Sequence, residues 1–222
     1  MKNSLNIFLI YDRILSENKK TGDIVLKSGY NDAVLLARTK LENLSPEKVC
    51  GLCGVNFDNK NEKYKINWMS KEYELSLTDN PDYSQALEII FLHYLTSEGT
   101  KKPEGKLISY REIPGAMFYE PKFIQRAVNP IVKYFGKKPE KLVETGKLFG
   151  GIKSNEGDTS VRINLLPYLP VTYIIWAGDD EFESYGNILF DKTAAGWLCA
   201  EDLVVAASLG AYELVGEYKK II

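Results

Sequence analysis

Hydrophobic and polar positions along this chain follow two periods, and the switch between them divides it into elements. Leu5 to Leu15 (LNIFLIYDRIL) is almost continuously apolar and predicts a helix laid on the main body, with a strand as the alternative because of its β-branched residues. Ser16 to Tyr30 is polar, carries Gly22 and Gly29, and predicts a loop, so residues 1–30 form a peripheral segment. Asn31 or Asp32 then caps a helix in which Ala33, Leu36, Ala37, Lys40, Leu41 and Leu44 keep the three-and-four spacing of one face. Ser45-Pro46-Glu47 starts a short second helix that Gly51 or Gly54 ends. From Val55 the period drops to two. Lys63 to Trp68 alternates, Met69 to Glu72 turns, and Tyr73, Leu75 and Leu77 alternate again, which predicts a hairpin with one buried face, preceded by a short strand at Val55 to Phe57.

The longer period returns after Asn80-Pro81-Asp82. Tyr83 to Ser97 is apolar on nearly all sides between Leu87 and Leu95, interrupted only by Glu88 and His93, and predicts the central buried helix. Gly99 to Gly105 is a polar loop, and Leu107 to Gly115 an extended segment. Glu120 to Phe135 predicts a helix broken or redirected at Asn129-Pro130, because the residue before a proline is pushed out of helical geometry. Pro139 to Phe149 is a further helix closed by Gly150-Gly151, and Val161 to Leu165 a strand. Val171 to Ala177 (VTYIIWA) is β-branched and aromatic and predicts a buried strand. A turn from Gly178 to Glu183 and a strand from Asn187 to Phe190 follow. Glu201 or Asp202 caps the last helix, with Leu203, Ala206, Ala207, Ala211 and Leu214 inward and Gly216 near its end.

These elements predict a single α+β domain over 1–222. A mixed, mostly antiparallel sheet, built from the hairpin and the strands near Val161, Tyr173 and Ile188, would pack against several helices. Composition narrows the class. Lys and Arg (28) nearly balance Asp and Glu (30), so no global field invites nucleic acid. The N-terminal apolar run is too short to span a bilayer, and no signal-peptide cleavage pattern follows it, so the expectation is a cytoplasmic protein without a membrane partner. Three cysteines, an odd number, fit free thiols in a reducing compartment.

Leu166-Pro167, Pro170, Trp176 to Phe182 (WAGDDEF) and Leu189-Phe190-Asp191 resemble the core pattern of the domain of unknown function 3786 family, and Arg111-Glu112-Ile113-Pro114-Gly115 with the aromatic pair Phe118-Tyr119 extends the likeness. The resemblance runs over about 33–214. It implies a setting in anaerobic bacteria and archaea, where one-carbon, corrinoid or metallocofactor metabolism is the natural context. The iron–sulfur segment that some members of that family carry has no counterpart here.

The candidate chemistry clusters in the same region. Asp179, Asp180 and Glu181, with Asp191 nearby in sequence, are hard oxygen donors of the kind magnesium or calcium takes, yet the alternating calcium-loop pattern is absent and a solvated turn explains them as well. His93 is the only histidine, which excludes a three-histidine zinc site; a core histidine bonded to a tyrosine or carboxylate is the simpler account. Cys50 and Cys53 form a C-G-L-C pair that fits packing better than redox chemistry, with Cys199 as one further thiol. Arg111, Glu112 and Arg162 could bind an anion or form ordinary surface ion pairs.

Two functions fit. One is a non-catalytic accessory module whose pocket, built from Trp176, Phe182, Tyr110 and Phe118 beside the acids and Arg111, holds a small molecule or a protein partner. The other is a metal-assisted or acid–base hydrolase using Asp179, Glu181 and Asp191 with Arg111. The first is favoured because the chain contains no recognisable catalytic set. No cofactor and no metal is assigned.

Overall fold

The computed structural model describes residues 23–79, 81–99, 101–179 and 181–221. The helix or strand expected over Leu5 to Leu15 lies outside them, as does the first part of the following loop, residues 16–22. That loop ends earlier than expected: helix α1 spans Asp23–Glu42, so Asn31 and Asp32 lie inside it rather than capping it. Gly29 lowers helix propensity by about 1 kcal/mol without stopping the helix. Its buried stripe is Val34, Ala37 and Leu41, packed on the central helix. Leu36 lies about 140° round the helix from that stripe and is exposed.

Helix α2 (Pro46–Cys53) has the expected signals, with Ser45 accepting from Lys48 N and Gly54 in the left-handed region at φ 67°. Strands β1 (Asn56–Asp58), β2 (Lys63–Trp68) and β3 (Lys71–Ser76) make a three-stranded antiparallel sheet. Its β2–β3 turn is tighter than expected. Only Met69 and Ser70 are unpaired, both at positive φ (48° and 65°), the twist a two-residue hairpin needs. Helix α3 (Gln85–Leu95) is the buried central helix, capped by Ser84 rather than by the Asn80 to Asp82 stretch.

Strand β4 is short, Leu107–Ser109, and the rest of the expected extended segment folds into 3₁₀ turns at Tyr110–Glu112 and Ala116–Phe118. Helices α4 (Glu120–Phe123) and α5 (Asn129–Phe135) are joined by a π-helical stretch, Ile124–Val128. The disturbance expected at Pro130 is therefore taken up just ahead of it. Pro130 has no N–H to return, and Asn129 N donates five residues back to Ile124 O. Helix α6 (Glu140–Lys147) leads to strands β5 (Ile152–Ser154), β6 (Thr159–Leu166), β7 (Leu169–Trp176) and β8 (Tyr185–Asp191). A short helix α7 (Ala194–Trp197) precedes α8 (Ala200–Ile221), which runs past Gly216.

The fold is α+β. The hairpin and the later strands do not share one mixed sheet: among the described residues there are two sheets, and every pairing is antiparallel. The second has order β4-β8-β7-β6-β5. The outer edge of β6 is already taken by β5 at Ile152 to Ser154, so the first sheet meets it through a single backbone bond, Met69 N to Leu165 O at 3.2 Å. Short connections between β6, β7 and β8 leave antiparallel pairing as the only geometry.

The inner face of the five-stranded sheet carries Val161, Ile163, Leu165, Val171, Tyr173, Ile175, Ile188 and Phe190, all fully buried. Helix α8 lies against it. A Cβ on Gly210 would fall 2.2 Å from Tyr173 Oη, so glycine is what allows this approach, and Tyr173 Oη donates to Ala207 O. The outer face is polar, and it is where the concave surface lies.

A candidate ligand cleft on the outer sheet face

Strand β6 (TSVRINLL) alternates, so Ser160, Arg162 and Asn164 share the side opposite Val161 and Ile163. Register carries that side across the sheet: Arg162 pairs with Thr172, Asn164 with Pro170, and Asp191 and Leu107 pair on the neighbouring strands. Pro170 has no N–H to give, and the β6–β7 ladder shifts register between Asn164 and Leu166. The shift ends the ladder in the two-residue link Pro167-Tyr168. Tyr168 N donates to Tyr94 Oη on α3, which fixes the link to the core.

The facing wall is the loop around Glu104 and Gly105, held by Asp191. This carboxylate is 1% exposed and accepts from Glu104 N (3.2 Å), Gly105 N (2.7 Å), Thr193 N (3.0 Å) and Thr193 Oγ1 (2.7 Å). Burial alone would raise its pKa; the hydrogen bonds from Thr193, Glu104 and Gly105 outweigh that and hold it below the usual carboxylate range.

Between these walls opens a cleft of about 420 Å³, lined by Pro103, Glu104, Gly105, Arg162, Asn164 and Pro170 among others. A second hollow of about 330 Å³ lies beyond Glu104, against Lys101, Lys192 and Trp197. Arg162 and Asn164 are exposed and make no side-chain hydrogen bond or ion pair among the described residues. Thr172 Oγ1, fully buried across the ladder from Arg162, does not line the cleft and has no hydrogen-bond partner among the described residues.

The residues singled out from sequence are distributed differently. Asp191 belongs to the cleft wall as a clamp. Asp179 sits past the other end of β7 and caps its own turn, accepting from Glu181 N and Phe182 N, which lower its pKa. Glu181 is exposed, and Asp180 lies outside the described residues. The six residue steps from Tyr185 to Asp191 along β8 separate that turn from Asp191 by roughly 20 Å, so sequence proximity does not gather the acids. Trp176 packs on Tyr185, ring centroids 5.2 Å apart. Tyr110 turns inward, stacked on Phe123 at 4.2 Å with its hydroxyl donating to Ala200 O. Phe118 and Phe182 face outward, and none of these four aromatics lines either hollow. Arg111 pairs with Glu120, and Glu112 accepts from Ser109 N and Oγ. Of the three candidate anion binders, Arg162 is the one left without a partner among the described residues. Asn164, Glu104 and Gly105 were not singled out; Asn164 had a sequence signal in its alternation with buried neighbours, whereas Glu104 and Gly105, in a polar loop, had none.

His93, Cys53 and Cys199 are occupied by protein partners. His93 Nδ1 lies 2.9 Å from Asp202 Oδ2, which also receives Cys199 Sγ at 3.2 Å. Cys53 Sγ points at Tyr94 O and Leu95 O, and burial pushes its pKa up to about 12. Burial likewise raises Cys50 and Cys199, and all three cysteines are free. Among the described residues no group of three or more His, Cys, Asp or Glu is disposed to hold a metal ion, and no helix is long and apolar enough to cross a membrane.

The fold and cleft define an α+β protein with a polar, proline-walled concavity on the outer face of its five-stranded sheet. The chain belongs to the domain of unknown function 3786 family, whose model, Domain of unknown function (DUF3786), matches residues 45–213. No curated protein and no solved structure matches it.

Proposed function

We propose that this chain is a soluble cytoplasmic accessory protein that binds a small molecule without transforming it, in the cleft between β6 and the Glu104-Gly105 loop. The observation that carries this reading is Arg162 with Asn164: two polar side chains side by side on one strand, unpartnered among the described residues, opening on a concavity of about 420 Å³. That size falls in the usual range for small-molecule sites. Pro103, Pro167 and Pro170 stiffen the walls, and a preformed site loses little entropy on binding. The hydrolase alternative needs Asp179, Glu181, Asp191 and Arg111 together, and the length of β8 keeps Asp191 from the others. Family resemblance makes anaerobic metabolism, with one-carbon, corrinoid or metallocofactor chemistry, the setting in which to seek the ligand.

Native mass spectrometry of protein purified without oxygen, alongside Arg162→Ala, combined with a fragment-library NMR screen, tests this. A retained mass lost in the variant, or fragments that move the Gly105 and Asn164 amides, is the expected result. An apo mass together with no fragment at those amides refutes the reading.

A further inference from the structure

The cleft's charges divide by wall, and the division specifies a ligand class. Among its lining residues Arg162 is the one cation; Glu104 and Asp191 are the acids. Arg162 and Glu104 border the same hollow without forming an ion pair with each other. Asp191 has its oxygens filled by four donors from the protein, so its charge is fixed in the wall while its lone pairs are largely spent. Among the described residues the Glu104 carboxylate is engaged only by Lys101 at 3.9 Å, a long and exposed contact that does little to hold it.

One side of the cleft therefore offers a guanidinium and an amide, the groups that take a carboxylate by paired N–H donors. The other offers an acceptor carboxylate beside a second fixed negative charge, which favours an ammonium and disfavours a dianion such as phosphate. Pro103, Pro167 and Pro170 add apolar surface between the two.

We infer that the ligand is a small zwitterion of the α-amino acid type, its carboxylate on Arg162 and Asn164 and its ammonium on Glu104. This rests on the reading of the cleft as a ligand site.

The test is an amide-resolved NMR titration with the free protein L-amino acids, then with the N-acetyl and amide derivatives of whichever binds. At least one free amino acid is expected to move Gly105, Leu107 and Asn164. Blocking either of its charges weakens binding at least about tenfold, the loss of one charge-assisted contact. Arg162→Gln abolishes the response, and Glu104→Gln removes the preference for the free amine over its N-acetyl form. Both residues are exposed, so each variant keeps the wild-type spectrum elsewhere. No response to any amino acid, or equal binding of the blocked derivatives, overturns the inference. A fragment library run on the same sample separates the two failures: fragments landing at these amides when no amino acid does would leave the cleft standing and remove the zwitterion, whereas an unmoved spectrum would remove both.

Discussion

Asp191→Asn exchanges one carboxylate oxygen for an amide nitrogen and removes the clamp that shapes the cleft. The wild-type carboxylate accepts four hydrogen bonds, three at Oδ1 (Glu104 N, Thr193 N, Thr193 Oγ1) and one at Oδ2 (Gly105 N). An asparagine keeps the three with its own oxygen as weaker neutral bonds and turns Nδ2 towards Gly105 N, donor against donor. Losing the charge from the three bonds and leaving one buried donor unmet together cost roughly 3 kcal/mol. In a protein of this size that lowers the melting temperature by roughly 6–12 °C. The sign with pH follows from the depressed folded-state pKa. Asp191 contributes its stability in full above the unfolded carboxyl value of about 3.9, and the contribution is lost as pH falls through the folded value. Urea denaturation between neutral pH and pH 3, with hydrogen exchange at Gly105, measures both effects. The asparagine variant should lose stability at neutral pH, show a flatter acid limb, and exchange Gly105 faster. A loss under about 1 kcal/mol, the size of one ordinary hydrogen bond, with an unchanged acid limb would refute the clamp.

Three further outcomes are expected. Tyr94→Phe leaves Cys53 O and Tyr168 N without their partner hydroxyl, at 2.8 and 3.1 Å in the wild type, and should cost about 2–3 kcal/mol in a denaturant titration. Glu88→Ala strips the carboxylate from the Arg38 guanidinium that ties α1 to α3 and leaves it the carbonyls of Leu77 and Asp79; losing the charge-assisted contact should cost about 1.5–3 kcal/mol, and a loss within error would show the pair to be dispensable. Alkylation of the native protein followed by mass spectrometry should modify Cys199 first, Cys50 more slowly, and Cys53 only on unfolding, with rates rising above neutral pH because every thiol is held protonated; early labelling of Cys53 would contradict its burial.

Local physics was readable from the chain. Pro46 after Ser45, the continuous apolar run of α3, the alternation of β2 and β3, and the β-branched run of β7 each fix an element through neighbours a few residues away, and each element is present. The Gln85–Leu95 helix had to be buried because no face of it is polar enough to meet water. The loss of the helical ladder at Pro130 was equally local, although the π-helical detour ahead of it was not specified.

What the sequence could not express were relations between distant residues. Asp191 looked like a companion to the Asp179 turn because so little chain separates them, yet a β-strand carries its two ends roughly 20 Å apart. Its actual partners, Glu104 and Gly105, lie 87 and 86 residues away. Tyr110 was expected in a ligand pocket with Trp176, Phe182 and Phe118, but a 3₁₀ turn rotates it onto Phe123 and into the core. The separation of the two sheets depended on β5 occupying the edge of β6 first. Arg162 was one of three candidate anion binders until the ladder set it beside Asn164 and over the concavity. The sequence by itself determined the longer helices and strands, since those follow from periodicity and capping within a turn or two. Only the tertiary structure decided which side chains share a face and which remain unpaired, because pairing across a sheet depends on register between strands that the chain's order does not contain.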